Sequence, residues 1–315
     1  METVLSYVWL VVGFVLLIKG ADFFVDGSSS VAKRFRVPSL IIGMTIVAMG
    51  TSLPECSVSI NASIAGSNGL AISNAVGSNI FNLMVVCGIC ALFCPLGVDE
   101  STLKKEFPFS VIVAGLLLLL GGIGMTLGHV DGVVFIVIFA GFLYWMVQSA
   151  RKARAEGKNV EEEEYEILPV WKCIFYIVCG IAAIGIGGEL VVDSASKIAS
   201  QFGMTDTLIG LTVVAFGTSL PELVTSVVAA KKNEVDMALG NVIGSNIFNI
   251  LLVLGVAAAI SPMTFKMENI VDIIVLIVMS AIVWIFAWSK KKINRPEGIM
   301  MLVMYAVYMV YISLR

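Results

Sequence analysis

The 315 residues predict an all-α membrane protein, with ten transmembrane helices arranged in two inverted-topology repeats of five. Three observations point there. Apolar residues make up 58% of the chain and charged residues only 14%, with a mean hydropathy of +0.97, whereas ordinary globular domains carry roughly a quarter charged residues. No soluble core hides that much apolar surface, so lipid is part of the solvent. The apolar residues fall in ten runs of a length suited to a bilayer core of about 30 Å. The chain also matches itself at an offset of 167 residues.

Taken in order, the first run spans 3–25. It carries Lys19, Asp22 and Asp26, follows no basic segment and ends at no A-x-A site, so it reads as a retained helix rather than a leader. Runs at 38–65, 70–95, 107–127 and 130–150 complete a first five-helix repeat over residues 1–150. Residues 151–168 pass from a basic half to Glu161–Glu164 and Glu166, the pattern of a solvated linker; they are too few for a folded domain, and any regulation there is electrostatic. Runs at 170–192, 207–230, 237–262, 269–289 and 297–313 form a second repeat over residues 169–315.

Orientation follows from the basic residues. Connections on one face hold sixteen, from Lys33, Arg34 and Arg36 through Lys104 and Lys105 to Lys290, Lys291, Lys292 and Arg295, against Lys197, Lys266 and Arg315 on the other. The richer face is cytoplasmic. Linker 151–168 therefore lies inside, both termini lie outside, and the chain is a multi-pass protein of the cell (inner or plasma) membrane. A net charge of −3 gives no reason to expect nucleic acid as a partner, and no obligate protein partner is evident.

The self-match is concentrated in two hexamers. Gly50 to Glu55 (GTSLPE) recurs as Gly217 to Glu222, and Gly77 to Asn82 (GSNIFN) recurs as Gly244 to Asn249. Ile42-Gly43, Thr45 and Val47-Ala48 recur as Ile209-Gly210, Thr212 and Val214-Ala215, and the register runs unbroken from Gly13/Gly180 to Ala91/Ala258. Five spans is an odd number, so the second copy starts from the opposite face. Two inverted halves suit a central site opened alternately to either side.

Glu55 is the only charge between Val37 and Val98, and Glu222 the only one between Thr207 and Ala230. A carboxylate at that depth is costly and faces a polar cavity by default. Neither helix offers a Lys or Arg. Pro54 and Pro221 break each helix near its middle, making the carbonyls of Ala48, Thr51, Ala215 and Thr218 candidates to face a cavity. Hydroxyls of Thr51, Ser52, Thr218 and Ser219 lie within one turn. Ser78 shares a helix face with Asn82, and Ser245 with Asn249, as candidate ligands; Asn79 and Asn246, turned about 100° away, could cap or bridge helices. Glu55, Glu222, Thr51 and Thr218 are the principal metal-ligand candidates. An all-oxygen set suits Ca²⁺ or Na⁺ rather than Zn²⁺ or Cu⁺. Two glutamates balance one Ca²⁺ or several Na⁺, and mutually exclusive occupancy is antiport chemistry. Cys87, Cys90 and Cys94 share a face without His or acidic partners and read as buried small hydrophobes; His129 reads as a solvated loop residue. No cofactor is expected beyond the transported ions.

The duplicated GTSLPE and GSNIFN segments closely resemble the two alpha-repeats of the sodium/calcium exchanger family, of prokaryotic type, within the calcium/cation antiporter superfamily. The resemblance covers nearly the whole chain. It implies that Glu55 and Glu222 are the central Ca²⁺ and Na⁺ ligands. It also implies that Thr51, Ser52, Thr218 and Ser219 give hydroxyl and carbonyl oxygens, that Ala48 and Ala215 add carbonyls, and that Ser78, Ser245, Asn82 and Asn249 complete or flank Na⁺ subsites. Asn249 stands where the potassium-dependent branch carries Asp, which argues against K⁺ co-transport. Linker 151–168 leaves no room for the regulatory region of the animal exchangers. The implied function is Ca²⁺ extrusion driven by Na⁺ influx through alternating access; H⁺-coupled exchange through the same glutamates is the alternative. A channel fits less well, since filters are usually rings from several subunits. An intramembrane enzyme lacks His or Lys near the glutamates.

Overall fold

The computed structural model describes residues 2–155, 168–204, 213 and 215–314. Its helices are α1 (Glu2–Phe35), α2 (Ser39–Thr51), α3 (Leu53–Ile64), α4 (Gly69–Phe93), α5 (Glu100–Met125), α6 (His129–Ala155), α7 (Val170–Gln201), α8 (Ala215–Thr218), α9 (Leu220–Lys231), α10 (Val235–Ile260), α11 (Met267–Lys290) and α12 (Arg295–Leu314). Among the described residues, eight of them are long and apolar enough to cross a membrane, and α2 with α3, bent by 51°, makes a ninth candidate. The run expected at 207–230 starts outside the described residues; its described part, α8 and α9, repeats the α2–α3 break. Residues 156–167, which hold the linker's acidic run, and Ile209, Gly210, Thr212 and Val214 also lie outside them.

Helices α1 and α7 run to 34 and 32 residues, well past their apolar runs. At 1.5 Å per residue each is about 50 Å long, more than a bilayer's hydrocarbon thickness. The polar end of α1 stays helical because partners come from far along the chain: Lys232 Nζ reaches Asp26 at 2.8 Å and Asp22 at 3.4 Å, and Glu234 takes Lys33 at 3.5 Å and the Ser39 hydroxyl at 2.9 Å. The two long helices lie antiparallel with backbones touching. A Cβ on Gly13 would meet the Val191 side chain at 2.8 Å, one on Gly20 the Ala183 Cβ at 2.9 Å, and one on Gly27 the Cys173 carbonyl at 3.0 Å. Glycines spaced by seven fall on one face after two turns and permit that approach.

Helices α4 and α10 are buried along most of their length, while the outer spans keep exposed apolar faces, with Val11, Val137, Ile285 and Val307 among them. Short strands tie the halves together crosswise. β1 (Leu96–Gly97) pairs with β4 (Lys292–Ile293), and β2 (Thr126–Leu127) with β3 (Met263–Thr264), both antiparallel. β3 follows β1 by 167 residues and β4 follows β2 by 166, so the repeat continues past Ala91 with one residue lost. Left-handed backbone recurs in the same register, at Arg36 and Gly203, Gly66 and Asn233, and Met125 and Lys291.

Candidate cation site

Ser52, at φ −85° and ψ 12°, leaves the helix between α2 and α3, and Ser219, at φ −95° and ψ 4°, does so between α8 and α9. The break therefore falls two residues ahead of each proline. Pro54 and Pro221 stand in the first turn of the following helix, where a missing N–H removes no helical bond. Rather than interrupting a helix from within, they fit the start of a new one. Glu55 and Glu222 come next, also in that first turn, where backbone N–H groups are free and the helix dipole is positive.

The break does not release the Ala48 carbonyl. It still accepts the Ser52 N–H at 3.1 Å and lies 3.3 Å from the Thr51 hydroxyl. Ala215 opens α8. Thr51, Ser52, Glu55, Ser78, Asn82, Thr218, Ser219, Glu222, Ser245 and Asn249 are all buried, as is Ala48.

Hydrogen bonds join these residues across the two halves. Ser52 Oγ donates to Glu222 Oε1 at 2.7 Å, and Ser219 Oγ lies 3.0 Å from Glu55 Oε1 and 3.1 Å from Ser78 Oγ. Each glutamate is thus held by the serine at the other half's break. Asn79 Nδ2 donates to the Asn246 carbonyl at 3.1 Å and Asn246 Nδ2 to the Asn79 carbonyl at 3.2 Å, so these amides bridge α4 and α10. Their side-chain oxygens take the amide N–H of Asn249 at 3.1 Å and of Asn82 at 3.3 Å.

Another amide pair, Asn74 and Asn241, went unnoticed in the sequence. Asn74 donates to Ser59 Oγ at 2.9 Å and the Glu55 carbonyl at 3.3 Å; Asn241 donates to Ser226 Oγ at 2.9 Å and the Glu222 carbonyl at 3.5 Å. The signal was present, as two asparagines at the same offset three residues before each GSNIFN.

What stays unpaired defines the chemistry. Glu55 Oε2, Glu222 Oε2, Asn82 Oδ1, Asn249 Oδ1 and Ser245 Oγ are buried without a hydrogen-bond partner, and neither glutamate forms an ion pair with a described basic residue. Asn82 and Asn249 each give an amide N–H to the bridge and keep the amide oxygen unpaired. Four of these five atoms are acceptors only, once the glutamates are ionised, and a buried acceptor without a donor is costly. Acceptors of this kind are what a hard cation would take. No group of three or more His, Cys, Asp or Glu occurs among the described residues, so neutral oxygens must complete any coordination shell.

The profile of the sodium/calcium exchanger protein family matches residues 5–148 and 172–314. The chain is 40% identical to CaxA of Alkalimonas amylolytica over 314 residues, with 96% of each covered, and 32% identical to the sodium/calcium exchanger MaX1 of Methanosarcina acetivorans, with 97% of each covered. The solved structure of the sodium-calcium exchanger NCX_Mj soaked with 2.5 mM Na⁺ and 0.1 mM Ca²⁺ superposes with a TM-score of 0.85 at 35% identity, covering 99% of both chains.

Proposed function

The chain belongs to the sodium/calcium exchanger family, and from that premise we propose that it is a secondary active antiporter that exchanges Ca²⁺ for Na⁺ by alternating access, with Ca²⁺ extruded as Na⁺ flows in. The observation that carries this reading is the set of mirrored, unpartnered acceptors: Glu55 Oε2 with Glu222 Oε2, and Asn82 Oδ1 with Asn249 Oδ1. Two carboxylates balance one Ca²⁺ or a small set of Na⁺, so the two ions compete for the same pair of charges. Thr51, Ser52, Ser78 and their counterparts Thr218, Ser219 and Ser245, with the carbonyls of Ala48 and Ala215, supply neutral oxygens. Ten spans in two inverted repeats of five frame the site, with linker 151–168 in the cytoplasm and both termini outside.

Purified protein in liposomes tests this directly. A Na⁺ gradient should drive ⁴⁵Ca²⁺ flux, and an equal pH gradient in Na⁺-free buffer should not. Flux that follows the pH gradient alone would replace Na⁺ by H⁺ as the coupling ion. Flux unchanged by Glu222→Gln would remove the glutamates from the site.

A further inference from the structure

Thr225 stands one turn after Glu222 in α9, on the same helix face. Its hydroxyl is fully buried and has no hydrogen-bond partner, not even the carbonyl of its own preceding turn. At the matching position of the first repeat, one turn after Glu55, the chain has Val58. Valine and threonine have nearly the same shape, and the first half places a methyl group at the matching position, which is half-buried there. A buried hydroxyl without a partner carries a desolvation penalty that valine does not. Packing therefore gives no reason for the threonine. Its place beside Glu222 does.

We propose that Thr225 is an ion-coordinating residue on the cytoplasmic approach to the site, its hydroxyl oxygen receiving the cation, directly or through one water, as it passes between Glu222 and the inner mouth. Helix α9 ends at Lys231 and Lys232, on the face richest in basic residues, so Thr225 lies on the inner side of Glu222 and Val58 on the outer side of Glu55. The two entrances to a largely mirrored centre are then unequal: the inner one has an extra oxygen and the outer one a methyl. This rests on the exchanger reading above and adds a determinant of face-specific affinity to it.

Everted and right-side-out membrane vesicles expose the two faces separately. Thr225→Val should raise the half-saturating Ca²⁺ at the cytoplasmic face about fivefold, equal to roughly 1 kcal/mol at 1.4 kcal/mol per decade, and leave the outer face unchanged. Thr225→Ser, which keeps the oxygen, should stay near wild type. Val58→Thr should lower the half-saturating Ca²⁺ at the outer face. A Thr225→Val protein unchanged at both faces, or altered equally at both, overturns the proposal. Glu222→Gln run alongside separates the two levels: if it leaves flux intact, the exchanger site itself is misassigned, whereas if it abolishes flux while Thr225→Val does nothing, only the role of Thr225 falls.

Discussion

The two halves of the chain agree at the centre and part company at the rim. At the centre, Ser52 holds Glu222 while Ser219 holds Glu55, Asn79 and Asn246 exchange bonds, and Asn74 and Asn241 brace the two glutamate turns. At the rim, the α9–α10 connection carries Lys232 and Glu234, both paired to α1, whereas the matching positions of the α3–α4 connection are Ala65 and Ser67. The difference teaches where each half is constrained. On the proposed mechanism a site used from both faces needs the same oxygens from each half, whereas in the proposed inverted topology the two connections face opposite sides of the membrane, and only an inner one is biased toward basic residues.

The sharpest way to break the central equivalence is to remove one carboxylate at a time. Glu55→Gln and Glu222→Gln should each reduce Na⁺-driven Ca²⁺ flux at least about 100-fold, roughly 3 kcal/mol, and by amounts that match within a few fold. Ligand charge count sets Ca²⁺ affinity, and each substitution removes one of only two charges. If one variant keeps substantial flux, the halves do not contribute alike, and a site centred on a single glutamate replaces the paired one.

A smaller effect should follow from the bridge. Asn79→Ala removes one of two bonds to the Asn246 carbonyl, which keeps the Asn249 backbone N–H, and leaves the buried Asn249 amide without its acceptor. At about 1 kcal/mol for the lost bond and about 1 to 3 kcal/mol for the orphaned amide, the loss of stability should be roughly 2 to 4 kcal/mol in detergent unfolding, and Asn246→Ala should match it. Unequal losses would mean that one half carries the bridge.

Much of this centre was legible in the sequence, for a definite reason. A carboxylate in a long neutral helix has few explanations, and the twin hexamers place Glu55, Ser52 and Ser78 in register with Glu222, Ser219 and Ser245. Asn79 and Asn246 could be read as bridges because of their angle around the helix. The position of the break could not. A proline reads the same whether it interrupts a helix or begins one, and only the backbone at Ser52 and Ser219 decides. The length of α1 was hidden too. Asp22, Asp26 and Lys33 look like the end of a span until Lys232 and Glu234, some two hundred residues later, supply their partners.

The rim contrast predicts the smallest effect. Lys232→Gln removes a cation from Asp26 and Asp22, but its side chain is 27% exposed and its partners more so, and such pairs contribute only about 0.2 to 1 kcal/mol. They join α1 to the α9–α10 connection and touch none of the proposed ion ligands. Breaking them should therefore shift the balance between states without changing ion selectivity, and half a kcal/mol moves a two-state ratio only about twofold. Transport by Lys232→Gln at low ionic strength should differ from wild type by less than about threefold, with an unchanged Ca²⁺ half-saturation. At about 1 M salt, where the Debye length is about 3 Å, the difference should vanish. Ala65→Lys, which puts a cation at the matching position of the α3–α4 connection, should do nothing, because the acids that Lys232 meets are on α1. A changed Ca²⁺ half-saturation in Lys232→Gln would instead mean that this ion-pair cluster communicates with the site, and the division between a constrained centre and a permissive rim would not hold.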